Sequence, residues 1–230
     1  IYSLQNSVID SLNTSFLIDP QVCIKTQNSI YMGDKKLGIY KDEQKIGIGN
    51  NPFTNIGFNA VSYKNSIAIT SGGINNNIDG MGNVEGGFYI FEEGIWYNYN
   101  VYTFIPTDFL IQDFTRIAYN EYEDKLYVGM FTGLLVSDFA TGKVYNSSNS
   151  PIDSALLNPG VQKVTGLATD SKGNTWVLNP ETHKALKVKT PNDEWYSFSI
   201  GNDNQKMVDL LIDNNEQKWV AQNGQGIIVY

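Results

Sequence analysis

The sequence predicts an all-β protein assembled from repeated four-stranded antiparallel sheets, and three observations carry that prediction. A hairpin segment recurs near the C-terminal end, short alternating strands follow one another with turn residues between them, and no stretch sustains a 3.6-residue apolar period. The recurring segment is Thr165–Val177, answered by Val208–Val220. In both, a short apolar strand runs into an Asp (Asp170, Asp213), and six positions later comes a Trp followed by Val (Trp176-Val177, Trp219-Val220). Self-similarity of this kind marks a supersecondary unit that must stack on its neighbours to bury a face.

Weaker copies of the hairpin can be followed from the N-terminus. Val22–Ile24 turns into Ser29–Gly33, Asn59–Tyr63 turns through Lys64-Asn65 into Ser66–Ile69, and Thr115–Asn120 reaches Leu126–Gly129 after a turn one residue longer. The equivalent positions Tyr31, Ala68, Tyr127, Trp176 and Trp219 recur about every 47 residues, within the range of propeller blades. Third strands are expected at Leu37–Tyr40, Gly87–Phe91, Gly133–Val136, Ala185–Val188 and Gly226–Tyr230, mostly rich in β-branched or aromatic residues. Fourth strands follow a polar turn at Lys45–Ile48, Ile95–Tyr99, Lys143–Tyr145 and Glu194–Phe198.

Four strands per unit and five units define a β-propeller of about five blades, or part of a larger one, within a single domain over residues 1–230. The last unit lacks its outer strand. Ile1–Leu4 resembles the outer strand Trp195–Phe198 in residue type and order, which makes the N-terminus a candidate to close the ring by pairing with the last blade.

Composition narrows the function classes. A net charge of −8, with Arg116 the sole arginine, disfavours a nucleic-acid partner, which needs clustered basic side chains. Nothing resembles a membrane span or a signal peptide, and an Ile at position 1 is compatible with a leader already removed. The single Cys23 leaves no internal disulfide and sits in an apolar triplet, as a small buried strand residue does.

Residues that look like sites have simpler structural readings. An aromatic recurring from blade to blade is expected to pack between blades, and an Asp opening a tight turn accepts bonds from backbone amides two residues on. Asn75, Asn77 and Asp79, followed by Gly80 and Asn83, fall at calcium-loop spacings, so calcium is the one cofactor the sequence suggests. Position 1 is not Asp, however, Glu85 comes one residue early, and no helix flanks the loop, so a flexible polar insertion is the simpler reading. The only histidine, His183, lies in the polar connection Asn179–Lys184, and no catalytic residue is assigned.

The pattern Gly166-Leu167-Ala168-x-Asp170-x-x-Gly173-Asn174-x-Trp176-Val177, with the ending Gly226–Tyr230, resembles the two-component-regulator propeller repeat. The succession through Glu194–Phe198, Asp213 and Lys218-Trp219-Val220 is also similar to the propellers of PorZ-like surface proteins of the Bacteroidetes. Glu216 departs from the repeat, standing where it has Gly. The resemblance implies a non-catalytic periplasmic or cell-surface module, either an oligosaccharide sensor or a part of the type IX secretion machinery, with an oligosaccharide or a protein as partner. In propellers, the loops joining second to third strands open at one end of the channel. Those loops make Phe131, Asn179, His183, Gln222 and Asn223 the candidate ligand-binding residues, since amides supply both donors and acceptors to hydroxyl-rich ligands. The alternative is a propeller glycoside hydrolase or lyase, which would require a carboxylate pair gathered from separate loops.

Overall fold

The computed structural model describes all residues except 1, 6–7, 12–15, 27, 35–37, 48–51, 55–56, 73–81, 83–85, 101–111, 140 and 204–205. It divides into two compact units, Ile1–Asn51 and Pro52–Tyr230. In the first, β1 (Tyr2–Gln5) and β2 (Val8–Ser11) form a hairpin. A four-stranded sheet follows in chain order: β3 (Pro20–Lys25), β4 (Ile30–Asp34), β5 (Gly38–Lys41) and β6 (Gln44–Gly47). Its turn is fixed by Asp42, whose Oδ1 accepts the Ile30 amide at 2.7 Å, and Phe16 packs on buried Tyr40 with ring centroids 5.2 Å apart. Cys23 is only partly buried in β3.

The expected outer strand at the N-terminus is present as β1, which pairs with β2 from Tyr2↔Ser11 to Gln5↔Val8. Pairing with the adjacent segment orders a short loop, whereas pairing with a distant strand must order a far longer one.

Among the described residues, the second unit contains three four-stranded sheets and one three-stranded sheet, all antiparallel and in chain order. They are β7 (Asn59–Tyr63) to β8 (Ser66–Thr70), β9 (Gly87–Glu92) and β10 (Ile95–Asn100). Next come β11 (Arg116–Asn120), β12 (Lys125–Met130), β13 (Gly133–Ser137) and β14 (Gly142–Tyr145), then β15 (Gly166–Thr169), β16 (Thr175–Leu178), β17 (Leu186–Lys189) and β18 (Trp195–Phe198). The last sheet is β19 (Met207–Ile212), β20 (Lys218–Gln222) and β21 (Gly226–Val229). The strands expected from alternation and turn residues are therefore present, with bounds shifted by a residue or two.

Strand alternation gives each sheet two apolar faces, and the sheets stack through them. Ala68, Phe88 and Ile90 meet Ile117, Leu126, Val128 and Leu135 of the next sheet. The opposite face of that sheet, Ala118, Tyr127, Leu134 and Val136, meets Leu167 and Val177. Trp176, Leu178, Leu186 and Val188 in turn meet Met207, Leu210 and Val220. One aromatic closing such an interface buries about 150 to 250 Å², worth at most about 4 to 6 kcal/mol. Close approach of the strands needs glycine at the start of β9 and β13. A Cβ on Gly87 or Gly133 would stand 2.1 or 2.2 Å from the carbonyl oxygen of Tyr99 or Tyr145.

The first strands of successive sheets are neighbours, and Arg116 joins two that are not adjacent. From β11 it reaches past β15 to β19, donating from Nε to Asp209 Oδ1 at 3.2 Å and from Nη2 to the Val208 carbonyl at 2.5 Å. Its guanidinium lies 5.1 Å from the Phe58 ring, which precedes β7.

The constant Asp-to-Trp spacing has a local cause. Asp170 Oδ1 accepts the amides of Lys172 and Asn174 at 3.0 and 2.9 Å, while Oδ2 accepts the Trp176 indole N–H at 2.8 Å. Asp213 repeats the arrangement, with Asn215 and Gln217 amides at 2.8 and 3.0 Å and the Trp219 indole at 2.9 Å. One carboxylate thus closes the turn and orients the aromatic six residues on. Desolvation opposes ionisation of Asp170, yet the bonds from Trp176 and Asn174 outweigh it and hold the carboxyl below its ordinary range. In the third copy the turn is longer, and Glu123 takes the place of the acid by accepting the Tyr127 hydroxyl.

Glu216, standing where the repeat has Gly, adopts a left-handed φ of 64°, close to the 79° of Gly173. Trp176 is 8% exposed, packed between sheets as the repeat predicts, whereas Trp219, in the last sheet of its unit, is 38% exposed. Replacing Asp170 with Ala is expected to cost about 2 to 3 kcal/mol in urea unfolding, because buried donors lose their acceptor. Asp213→Ala, on an exposed turn, is expected to cost clearly less.

Candidate functional site

The connections after β12 and β16 bring two of the expected ligand residues together in one buried cluster. Asn179 uses its whole side chain within the protein. Its Nδ2 donates to the Lys163 and Asp153 carbonyls at 2.8 and 3.2 Å, and its Oδ1 accepts from the Asp153 amide and Lys187 Nζ, both at 2.8 Å. Beside it Lys163 Nζ donates to both oxygens of Glu181, at 2.7 and 2.9 Å, and lies 5.8 Å from the ring of the fully buried Phe131. Phe131 and Asn179 thus form the floor beneath the loops rather than their surface.

His183 stands exposed above this floor. Its Nδ1 is 2.5 Å from Asp203 Oδ2, and its carbonyl accepts the Ser199 hydroxyl at 2.9 Å. The same connection, between β18 and β19, also holds the β20–β21 turn, since the Asn223 amide donates to the Lys206 carbonyl at 2.9 Å. Gln222 ends β20, opposite Met207 on one side and Gly226 on the other. His183, Gln222 and Asn223 are therefore related through one loop segment, while Phe131 and Asn179 lie in the buried cluster. Asn75, Asn77 and Asp79 lie outside the described residues. Among the described residues, no three His, Cys, Asp or Glu side chains gather as a metal would need.

The sequence reading missed a second polar region at the other end of the seam between β11–β14 and β15–β18. A cavity of about 300 Å³ there is lined by Glu123, Lys125, Asp138, Thr141, Lys143, Tyr145, Lys189 and Asp193, among others. Each carboxylate is held. Glu123 accepts the Tyr127 hydroxyl and lies 3.4 Å from Lys189 Nζ, Asp193 accepts from Tyr145 and Lys143 at 2.6 and 3.1 Å, and Asp138 accepts from Thr141. Desolvation works against the charge on Asp193, but the Tyr145 and Lys143 bonds outweigh it and keep the carboxyl below its usual range. Burial raises the Tyr127 hydroxyl, and the Glu123 carboxylate raises it further.

The available signal was the alternation Lys187-Val188-Lys189 in a strand read as apolar. Both lysines share one face and both are buried. Lys187 reaches the Asn179 cluster and the Lys184 carbonyl at 2.7 Å, while Lys189 reaches Glu123 and the Thr190 carbonyl at 3.1 Å. One strand thus supplies a cation to each end of the seam.

With this geometry in place, the likeness to known proteins has a defined meaning. No family model matches the chain, and no curated protein sequence matches it. Among solved structures it is similar to PorZ, an essential surface component of the type IX secretion system of Porphyromonas gingivalis. Identity is 18% over 88% of this chain and 30% of PorZ, with a TM-score of 0.65. It is also similar to the extracellular domain of a hybrid two-component system from B. thetaiotaomicron, at 15% identity over 90% of this chain and 25% of that one, TM-score 0.57. A catalytically inactive virginiamycin B lyase from Staphylococcus aureus is similar at 10% identity, covering 78% of this chain and 58% of the lyase, TM-score 0.53. These likenesses define the class of fold, a propeller-like succession of antiparallel sheets. The chain spans under a third of the length of the first two.

Burial drives the Lys187 ammonium down to about 8, with Asp153 only partly offsetting the loss of solvation. Between about pH 8 and 9.5 the folded protein releases this proton while the unfolded chain keeps it, so the unfolded state binds more protons and stability rises with pH. The expected gain is about 2 kcal/mol in denaturant unfolding. Lys187→Met should remove that slope, so the comparison rests on the two pH dependences rather than on absolute stabilities.

Proposed function

We propose that this chain is a non-catalytic, extracytoplasmic recognition or scaffolding module whose sheets are the blades of a propeller, about five of them here. Its partner is an oligosaccharide or a protein at the cell surface or in the periplasm. The observation that carries this reading is the state of the carboxylates. Glu181 is clamped by Lys163, and in the cavity at the opposite end each acid is tied to a lysine or a hydroxyl. Proton transfer needs an acid or base free to change partners, with its pKa placed near the working pH. Ionised Asp193 and salt-bridged Glu181 supply binding dipoles and charges instead.

The likeness to PorZ and to two-component extracellular domains supports a surface or periplasmic setting. Among the described residues no helix is long and apolar enough to cross a membrane. Within the recognition surface, exposed His183 and Asn223 meet the ligand together with Gln222, over the rigid floor made by Phe131 and Asn179. Amide and imidazole groups on a fixed base suit a hydroxyl-rich or peptide surface, because little is lost in ordering them.

A glycan array combined with turnover assays on the same oligosaccharides tests the reading. Saturable binding without cleavage is expected, and His183→Ala with Asn223→Ala should weaken it about tenfold, the loss of one to two hydrogen bonds. Turnover that one carboxylate substitution abolishes would instead establish a hydrolase or lyase.

A further inference from the structure

The seam between β7–β10 and β11–β14 holds a cavity of about 340 Å³ whose walls are largely aromatic. Tyr63, Ile90, Tyr97, Tyr99 and Phe139 line it, together with the exposed Lys64 and Glu92. All of them belong to the second unit. The rings brace one another. Phe139 lies 5.2 Å from Tyr63 and 5.3 Å from Tyr99, centroid to centroid, and Tyr119 meets Tyr63 edge-on at 4.9 Å. Phe139 is held there at a φ of 68°, a left-handed backbone that so bulky a residue adopts only at a cost.

Register puts this cavity and the carboxylate-lined one of the following seam at the same place in successive sheets. Ile90 pairs with Tyr97 as Val136 pairs with Lys143, and Phe88 pairs with Tyr99 as Leu134 pairs with Tyr145. Two residues beyond Ile90 and Val136 stand Glu92 and Asp138. The difference lies in the cation. In the second cavity the Lys143 ammonium lies 4.3 Å from the centroid of Tyr145 and 3.1 Å from Asp193, so the protein itself supplies a positive charge over the ring. In the first, Tyr97 replaces Lys143, and β10 contains no lysine. The ring persists as Tyr99 and the acid as Glu92, whose side chain has no hydrogen-bond or ion-pair partner among the described residues.

Lys64 does not substitute for the missing cation. Its ammonium is bonded to Asp124 at 2.8 Å and lies 5.2 Å from the Tyr63 ring, so its charge is matched and Glu92 leaves negative charge in excess. We propose that this cavity binds a small alkylated ammonium ion from solution, with Tyr97, Tyr99 and Phe139 against its methyl groups and Glu92 as counter-charge. Alkylation suits the site, because aromatic walls offer few acceptors to an N–H donor but ample apolar surface to methyl groups. The cavity lies at the end of the sheets that carries the β7–β8 and β9–β10 turns, opposite the loops of His183 and Asn223. The two sites are therefore separable.

Calorimetric titration of the whole chain with choline, beside the uncharged alcohol in which carbon replaces its nitrogen, tests the proposal. Choline is expected to saturate in the millimolar range, as a ligand of few atoms does, and the uncharged alcohol to bind about fivefold more weakly or worse. Glu92→Gln and Tyr97→Ala, both at exposed positions that the fold does not depend on, should each weaken choline about fivefold, while His183→Ala with Asn223→Ala leaves it unchanged. Absence of saturable choline binding overturns the proposal, as does equal affinity for the two probes or an affinity indifferent to both Glu92→Gln and Tyr97→Ala. Methyl glucoside binding more tightly than choline also overturns it, in favour of a hydroxylated ring.

Discussion

Every sheet of the second unit depends on face-to-face burial against the next. An isolated sheet of three or four short strands has too little apolar surface to offset the entropy of ordering its chain, so the fold is stable only as a stack. The packing explains why the aromatic position recurs as Tyr127, Trp176 and Trp219, and why small residues stand where strands approach closely. Where the next sheet is present, the aromatic is buried among apolar neighbours. In the last sheet of the unit, the same residue in the same turn is exposed to water.

Polar groups are accommodated at the ends of the seams rather than within them. Lys187 and Lys189 extend from one face of β17 in opposite directions, one to an amide cluster and the other to a carboxylate pocket. Buried charges persist only where partners are already in place, and here those partners come from turns that the sheets hold rigid. The result is a stack of sheets with paired charges at both ends of a seam and exposed loops above one of them.

Much of this was legible in the sequence because it is local. Strand alternation, turn residues and the Asp-to-Trp spacing each arise within about ten residues, and the indole bond of Asp170 supplies the physical reason for a spacing first visible as repetition. The burial of Lys187 and Lys189 was not legible. Their acceptors lie on Asn179, Glu123 and turn carbonyls that only the tertiary fold gathers. The exposure of Trp219 was hidden for a different reason, since it is set by what lies beyond its face. Among the candidate ligand residues, the loop assignment placed His183 and Asn223 at the surface, but it could not separate them from Phe131 and Asn179, whose burial depends on Lys163 and Asp153. The β1–β2 hairpin was missed because Val8–Ser11 is too short to show a period.

The sole arginine carries a consequence of a different kind. Arg116 connects β11 to β19 across the intervening β15, so its length is matched to a stack in which one sheet separates the two. Inserting or deleting a sheet there would move Asp209 and the Val208 carbonyl out of reach or into collision. One side chain thereby ties the spacing of β11 and β19 to a single intervening sheet.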